Sequence, residues 1–169
     1  VGLSFYTLKK LAYILDVSRG RLEPTRDAVS FLLFVSFFPQ IAAGPIDRVQ
    51  HLMPQIDQRR TWNSGLLYSA WPLLVTGFFK KIVIANTMQP VVDRVFGLDE
   101  PSRIIVLAGA LAFTLQILAD FSAYTDLSRG FAKLLGFDTP ENFNTPYLAL
   151  TPADFWNRWH ITLSTWLRD

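Results

Sequence analysis

Long apolar segments alternate with short polar ones along this 169-residue chain, at the length that membrane helices require. The cleanest is residues 104–121, IIVLAGALAFTLQILADF, where small residues around Gly109 favour close packing against another helix. Residues 28–46 are also nearly uncharged and long enough to cross the hydrocarbon layer, but prolines and a glycine break their second half. The pattern there fits a bent or re-entrant segment as well as a straight span.

A predicted helix precedes residues 28–46 and a predicted loop follows them. Residues 1–16 predict a helix that ends near Gly20, a residue type that commonly stops helices. Residues 47–62 are rich in charge and predict a solvent-side loop, in which we expect His51 to be solvated and without a functional role.

A lysine pair interrupts the next apolar segment. Residues 65–79 are apolar, Lys80 and Lys81 follow, and residues 82–85 are apolar again. Lysines inside a span are expected to reach for the membrane interface or to line a cavity.

The last apolar pattern is an amphipathic helix that begins with Thr151 as its N-cap. On one continuous helix at about 100° per residue, its aromatic and leucine side chains share one arc. That arc holds Phe155, Trp156, Trp159, Leu163, Trp166 and Leu167. His160 falls at the edge of the arc beside Ser164 and Asn157, while Ile161 is an apolar exception on the polar side.

Composition favours a membrane protein with an all-α fold. Half of the residues are apolar and only 18% are charged, against about 25% in typical soluble domains. The net charge of +2 is too small to indicate a nucleic-acid partner. With no cysteine and two distant histidines, we predict neither a thiol nucleophile nor a metal site.

We therefore expect a polytopic membrane helical bundle. The chain starts without Met or a signal peptide pattern, and no domain boundary is evident within it. We interpret residues 1–169 as a single, partial membrane domain that is cut at both ends.

Gln116, Asp120 and Tyr124 form the first candidate site, because their i, i+4, i+8 spacing places them on one helix face. Asp126 lies about 240° around the helix from Asp120, so the two carboxylates do not form an acid–base pair. The stripe is either a hydrogen-bonded contact between helices or the lining of a substrate path. Both readings place it inward.

His160 is the second candidate, because a partly desolvated imidazole suits general base catalysis near neutral pH. A packed, hydrogen-bonded histidine would give the same pattern. So would a tryptophan-rich helix lying on a membrane surface, with Arg158 and Arg168 on lipid headgroups. Motifs of serine hydrolases, zinc proteases and nucleotide-binding proteins are absent.

Several ordered segments resemble the membrane-bound O-acyltransferase family. They are Gly2–Thr7, Phe37–Pro45, Gly77–Ile84, Ala119–Asp126, Pro140–Tyr147 and Asp154–Asp169. Among the branches of this family, the chain is similar to the bacterial alginate O-acetyltransferases, which are related to the D-alanyl transferases of teichoic acid.

The resemblance implies a multi-pass enzyme of the bacterial inner membrane whose helices surround a tunnel. Such an enzyme moves an acyl group, here expected to be acetyl, to hydroxyls of an exported polysaccharide such as alginate. It implies no bound cofactor, and a donor that is an acyl thioester or an acylated carrier. The implied partners are the lipid bilayer, the donor or its carrier protein, and periplasmic or extracellular polysaccharide-modifying proteins.

By the resemblance His160 is a catalytic residue, but not the only one. The histidine that the family requires most strongly lies in a later helix outside residues 1–169, so we expect this stretch alone to be inactive. The other residues expected to line the tunnel or the substrate are Gln116, Asp120, Tyr124, Asn144, Asn157, Arg158, Trp159 and Ser164. Related sequences commonly have glycine where this one has Ala123, and the extra methyl matters only if two helix backbones touch there.

Three alternatives remain open at this point. The first is D-alanyl transfer to teichoic acid. The second, from a different class, is a transporter or channel subunit in which the Gln116–Asp120–Tyr124 stripe lines a permeation path. The third is a structural membrane scaffold.

Overall fold

The computed structural model describes residues 3–41 and 43–169, and within these ranges the chain folds into helices and loops without a β-sheet. The α-helices are α1 Leu3–Ser18, α2 Ala28–Val35, α3 Val49–Asp57, α4 Ser64–Phe78, α5 Asn86–Phe96, α6 Arg103–Leu134, α7 Pro152–Arg158 and α8 Ile161–Arg168. Two short 3₁₀ turns lie at Phe38–Gln40 and Pro146–Leu148, and a π-helical segment, Phe79–Ala85, joins α4 to α5.

Among the described residues, two helices are long and apolar enough to cross a membrane. One is the continuous run Ser64–Phe96, made of α4, the π-helical segment and α5, and the other is α6. They pack antiparallel, since Gly130 of α6 lies against Leu74 of α4 and Gly109 lies against Val95 of α5. The outward face of α6 carries large apolar side chains that are exposed: Ile104, Leu107, Leu111 and Leu115. The predicted apolar segments are therefore present and form a helical hairpin.

Small residues bring the two long helices together, as the sequence predicts around Gly109. A Cβ atom at Gly109 would overlap the side chain of Val95. A Cβ at Gly77 would lie 3.1 Å from the carbonyl oxygen of Ala123, which is fully buried. The backbone of α4 therefore approaches the backbone of α6 closely beside Ala123.

The predicted helix over residues 1–16 is present as α1, and Val1 and Gly2 lie outside the described residues. Gly20 adopts φ +68, and the backbone N–H groups of Gly20 and Arg21 bond to the carbonyls of Val17 and Asp16. This is the hydrogen-bond pattern of a Schellman motif, which requires the left-handed conformation that glycine adopts without strain.

The apolar segment over residues 28–46 is interrupted, as its prolines and glycine predict. Helix α2 ends at Val35, a 3₁₀ turn follows, and residues 43–46 form an irregular loop, with Ala42 outside the described residues. The predicted solvent-side loop over residues 47–62 was wrong in part, because residues Val49–Asp57 form α3. The buried side chains of Val49, Leu52 and Met53 pack this helix onto α2.

His51 is exposed to solvent, as predicted, although it lies on α3 and not in a loop. The charged residue of this stretch that does not face solvent is its contact partner, Asp47. Nδ1 of His51 lies 2.8 Å from Oδ1 of Asp47, whose side chain is almost completely buried. Asp47 belongs to the charged stretch that the sequence predicts to face solvent. Its carboxylate turns inward instead, because it accepts a hydrogen bond from the backbone N–H of Arg48 and contacts the ring of His51.

The largest correction concerns the last helix, which is not continuous. Helix α7 ends at Arg158, and His160 adopts φ 43 and ψ 54, in the left-handed region, before α8 begins at Ile161. A helical wheel drawn through residues 154–169 therefore misplaces the side chains beyond the break. Trp166, assigned to the same apolar arc as Trp156, instead lies beside α1 and Arg48.

Candidate functional site

All but two of the sequence-predicted site residues line two neighbouring grooves. The first, of about 680 Å³, lies between α7 and α8 and is named here the tryptophan groove. It is lined by Ala153, Trp156, Asn157, Trp159, His160, Leu163, Ser164, Leu167 and Arg168. The second, of about 360 Å³, lies on α6 and is named here the stripe groove. It is lined by Phe113, Gln116, Ile117, Asp120, Phe121 and Tyr124.

The break between α7 and α8 creates the tryptophan groove. Thr151 caps α7 by accepting a hydrogen bond from the backbone N–H of Asp154 at 3.1 Å. The left-handed turn at His160 then redirects the chain, so α8 leaves at an angle instead of extending α7. Side chains from both helices consequently face one space, and a straight helix could not enclose it.

His160 lies at the junction of the two grooves. Its ring meets Phe121 edge-on, with ring centroids 4.8 Å apart, and Phe121 is itself part of the stripe groove. Nε2 of His160 is buried and has no hydrogen-bond partner among the described residues. Burial lowers the pKa of the imidazole below its usual 6.5, so His160 is neutral at neutral pH and one ring nitrogen can accept a proton.

The walls of the tryptophan groove are mostly apolar, with polar groups at one side. Trp156, Leu163 and Leu167 supply the apolar surface. Arg168 donates a hydrogen bond from Nη1 to Oδ1 of Asn157 at 2.8 Å, which ties α8 to α7. Ser164 and Asn157 share the groove with His160, as the sequence predicts, although they reach it from two helices instead of one.

Gln116, Asp120 and Tyr124 share one face of α6, as their spacing predicts. Nζ of Lys81 lies 2.5 Å from Oδ1 of Asp120 and 5.0 Å from the ring centroid of Tyr124. Lys80 pairs instead with Asp126, at 2.7 Å. The two carboxylates therefore have separate partners, in agreement with the prediction that they do not act as a pair.

Two predicted lining residues reach neither groove. Arg158 donates from Nε to Oδ1 of Asp154 at 2.7 Å and from Nη1 to Oγ1 of Thr145 at 3.4 Å, along the outer side of α7. The side chain of Asn144 is exposed, and its backbone N–H bonds to the carbonyl of Arg158 at 2.9 Å. Both residues hold the loop before α7 in place.

Three residues that the sequence analysis did not single out also contact the site. Phe121 separates the two grooves, and Asn142 and Thr162 are buried next to the turn at His160. Phe121 could not be singled out from sequence, because one phenylalanine next to the polar stripe of an apolar helix is not a distinctive pattern. The signal available for Asn142 was its place in the segment Pro140–Tyr147, which the family resemblance includes.

The tryptophan groove provides groups that acyl transfer requires. A neutral imidazole can bond to a hydroxyl or accept its proton. Neighbouring N–H and O–H donors from Asn157, Ser164 and Arg168 can bond to a developing oxyanion.

Comparison with known proteins identifies the class. Residues 18–169 match the membrane-bound O-acyltransferase (MBOAT) family. The chain belongs to this family and is a membrane protein.

Three relatives illustrate its place within the family. The chain is 41% identical over its full 169 residues to a protein of Azotobacter vinelandii described as a probable alginate O-acetylase, AlgI, of which it covers 34%. It is 33% identical to a peptidoglycan O-acetyltransferase of Helicobacter pylori and 31% identical to a teichoic acid D-alanyltransferase of Bacillus subtilis, in each case over the whole chain. It covers 37% and 44% of those two relatives. The chain thus spans about a third of the length of the relatives described as alginate O-acetylases.

Proposed function

We propose that the protein containing this chain is a membrane-embedded O-acetyltransferase that acts on hydroxyls of an exported polysaccharide of the alginate type. The observation that carries the proposal is the full-length 41% identity to proteins described as probable alginate O-acetylases. Identity to the peptidoglycan and teichoic acid enzymes is lower, at 33% and 31%. Those two relatives are also described as transferases of acyl groups, so all three support the same reaction class.

In the proposed reaction, the acceptor hydroxyl oxygen bonds to the carbonyl carbon of the acyl group. The bond from that carbon to the donor breaks, the hydroxyl proton passes to a base, and the released donor takes up a proton. The donor is an acyl thioester or an acylated carrier, and no resident cofactor takes part. His160 bonds to the reacting groups through its unpaired ring nitrogen and holds the acyl carbonyl beside the acceptor. The family resemblance assigns a second histidine, outside residues 1–169, to the role of base.

The same proposal assigns the protein to the bacterial inner membrane as a multi-pass enzyme. Its two long apolar helices form a hairpin of membrane length. The identity to the alginate O-acetylases extends over the whole chain, which supports the rest of the multi-pass fold. Its proposed partners are the donor or carrier protein on one side and periplasmic or extracellular polysaccharide-modifying proteins on the other.

The test uses the full-length protein in its own host and measures the acyl groups on cell-surface polysaccharide by mass spectrometry. His160→Ala is expected to reduce acetylation at least about 100-fold, the size of effect seen when a positioned catalytic group is lost, while the amount of protein in the membrane stays unchanged. His51→Ala is the matched control, because it removes the chain's other histidine, which contacts Asp47 and lies outside both grooves. Normal acetylation in the His160 variant would contradict the catalytic assignment.

The same mass spectra distinguish acetyl transfer from D-alanyl transfer, and a solute-uptake assay tests the transporter alternative. Loss of acetyl esters from a polysaccharide on deletion of the gene supports the proposal. Loss of D-alanyl esters would move the protein to the teichoic acid branch. An unchanged polymer together with altered solute uptake would support a transporter.

A further inference from the structure

His160 occupies a backbone conformation that needs support from elsewhere in the fold. Its φ of 43 and ψ of 54 lie in the left-handed region, which costs a residue with a Cβ atom about 1–2 kcal/mol. As the N-cap of α8, His160 makes no side-chain bond to the free N–H groups at the start of the helix. Both the strain and these N–H groups must be compensated by another residue.

Asn142 supplies that compensation from a loop 18 residues earlier. Its backbone carbonyl accepts from the N–H of Ile161 at 3.0 Å. Its side-chain Oδ1 accepts from the backbone N–H of Thr162 at 3.2 Å and from the Thr162 hydroxyl at 2.6 Å. Asn142 thus performs the function of an N-cap for α8, although another residue occupies the N-cap position.

The loop also holds the residues before His160. Phe143 and Trp159 form an antiparallel backbone bridge, and the N–H of Asn144 bonds to the carbonyl of Arg158 at 2.9 Å. The backbone is therefore fixed on both sides of His160, and the direction in which the imidazole leaves the chain is fixed with it.

Thr162 connects this arrangement to a third part of the molecule. Its hydroxyl donates to Oδ1 of Asn142 and accepts from the backbone N–H of Ile46 at 2.9 Å. All three residues are at most 6% exposed. Water cannot replace bonds at this depth, so losing the hydroxyl leaves the backbone N–H of Ile46 unsatisfied and removes one of the two bonds to Oδ1 of Asn142.

We infer that Asn142 and Thr162 are positioning residues for His160, acting through the backbone of α8 and not by touching the substrate. This inference rests on the proposed function, since it assumes that His160 contacts the reacting groups. Neither residue lines the tryptophan groove, so an effect on catalysis has to pass through the orientation of the imidazole. A displacement of about 1 Å at such a group can cost about 100-fold in rate.

The experiment compares Thr162→Val with Thr162→Ser in the purified full-length enzyme. Valine keeps the shape of threonine but removes the hydroxyl, whereas serine keeps both hydrogen bonds. We expect Thr162→Val to lower kcat about 10- to 100-fold with KM within about 3-fold of wild type, and Thr162→Ser to restore kcat to within about 3-fold. Asn142→Asp, which keeps the Oδ1 acceptor, should retain more activity than Asn142→Ala.

Thr165→Val is the matched control. Thr165 lies one turn further along α8, and its hydroxyl bonds to the carbonyls of Ile161 and Thr162 within the same helix. We expect its kcat to stay near wild type. Both valine variants must be present in the membrane at the wild-type amount, and their far-UV spectra and thermal midpoints identify any general unfolding.

The outcomes separate the two proposals. If His160→Ala abolishes acetylation while Thr162→Val has normal kcat, the positioning role is wrong and the proposed function stands. The same conclusion follows if Thr162→Ser is as slow as Thr162→Val. If His160→Ala is fully active, both the catalytic assignment and the positioning role are wrong.

Discussion

Lys81 donates a hydrogen bond to Asp120 across the interface between the two membrane-length helices. Its neighbour Lys80 pairs with Asp126 at 2.7 Å. Adjacent lysines on a regular α-helix point about 100° apart, yet both reach α6 here. The π-helical segment Phe79–Ala85 contains both residues and alters the helix geometry where the pairs form. Both lysines therefore bond across the contact between the two helices.

A charge exchange tests whether the Lys81–Asp120 pair holds the helices together. Lys81→Met leaves the carboxylate of Asp120 unpaired and is expected to cost up to about 1 kcal/mol, since that side chain is partly exposed. The double variant Lys81→Asp/Asp120→Lys restores opposite charges and is expected to recover at least half of that loss. Thermal unfolding of the full-length protein in detergent measures both.

Lys10→Met is the control for the charge exchange, because Lys10 is an exposed lysine on α1. It is expected to leave the midpoint unchanged. A double variant no more stable than Lys81→Met would show that the pair is not a stabilising contact.

The close approach at Gly109 predicts a suppressor. A Cβ added there would overlap the side chain of Val95, so Gly109→Ala is expected to cost about 1–3 kcal/mol through overpacking. Val95→Ala removes the overlapping methyl groups, and the double variant should be more stable than Gly109→Ala alone. The same thermal assay measures this, with Val95→Ala as the single-variant reference. Additive losses in the double variant would mean that the two residues do not meet.

The membrane-length helix α6 and the stripe were predictable from sequence because their geometry is local. The spacing of Gln116, Asp120 and Tyr124 fixes a shared face on any α-helix, and the apolar length of residues 104–121 fixes a membrane-length helix. The family resemblance added the expected chemistry of His160, which spacing alone left open. These predictions needed no knowledge of the rest of the fold.

The break at His160 was not predictable in this way. Nothing local forces a histidine into the left-handed region, and the bonds that hold it there come from Asn142 and Thr162 through the tertiary structure. The misplacement of Trp166 on the helical wheel follows from this one residue. Likewise, the burial of Asp47 depends on its contacts with His51 and on packing against α1, neither of which a polar segment reveals.

The left-handed turns predict an unusual effect of glycine. At His160 and Thr145, where φ is 43 and 44, replacement by glycine should give a protein about 1 kcal/mol more stable than replacement by alanine. At Thr7, in the regular helix α1, the order should reverse, because glycine costs about 1 kcal/mol relative to alanine. Thermal midpoints of the six variants test this directly. Equal midpoints for the two His160 variants would contradict the strained conformation, whatever their activities.

Lys9 predicts a change in stability between pH 8 and pH 10.5. Its side chain is only 2% exposed, its ammonium donates to the carbonyl of Phe34 at 3.0 Å, and it lies over the rings of Phe34 and Phe37. Burial lowers its pKa from 10.5 to about 8, with a smaller opposing effect from Asp47. Within this pH window the unfolded chain binds more protons at Lys9 than the folded chain does. The contribution of Lys9 to stability therefore rises with pH, by up to about 3 kcal/mol over the window.

Unfolding of the full-length protein, measured at pH 7.5, 9 and 10.5, compares wild type with Lys9→Met and Lys10→Met. The informative quantity is the difference between each variant and wild type, because contributions from the rest of the chain are common to both. Because methionine carries no proton, wild type should gain stability relative to Lys9→Met as the pH rises. Lys10→Met, which removes an exposed lysine of the same helix, is the control for loss of a positive charge from α1. A constant difference for Lys9→Met would mean that Lys9 keeps its ordinary pKa and that its ammonium group is solvated.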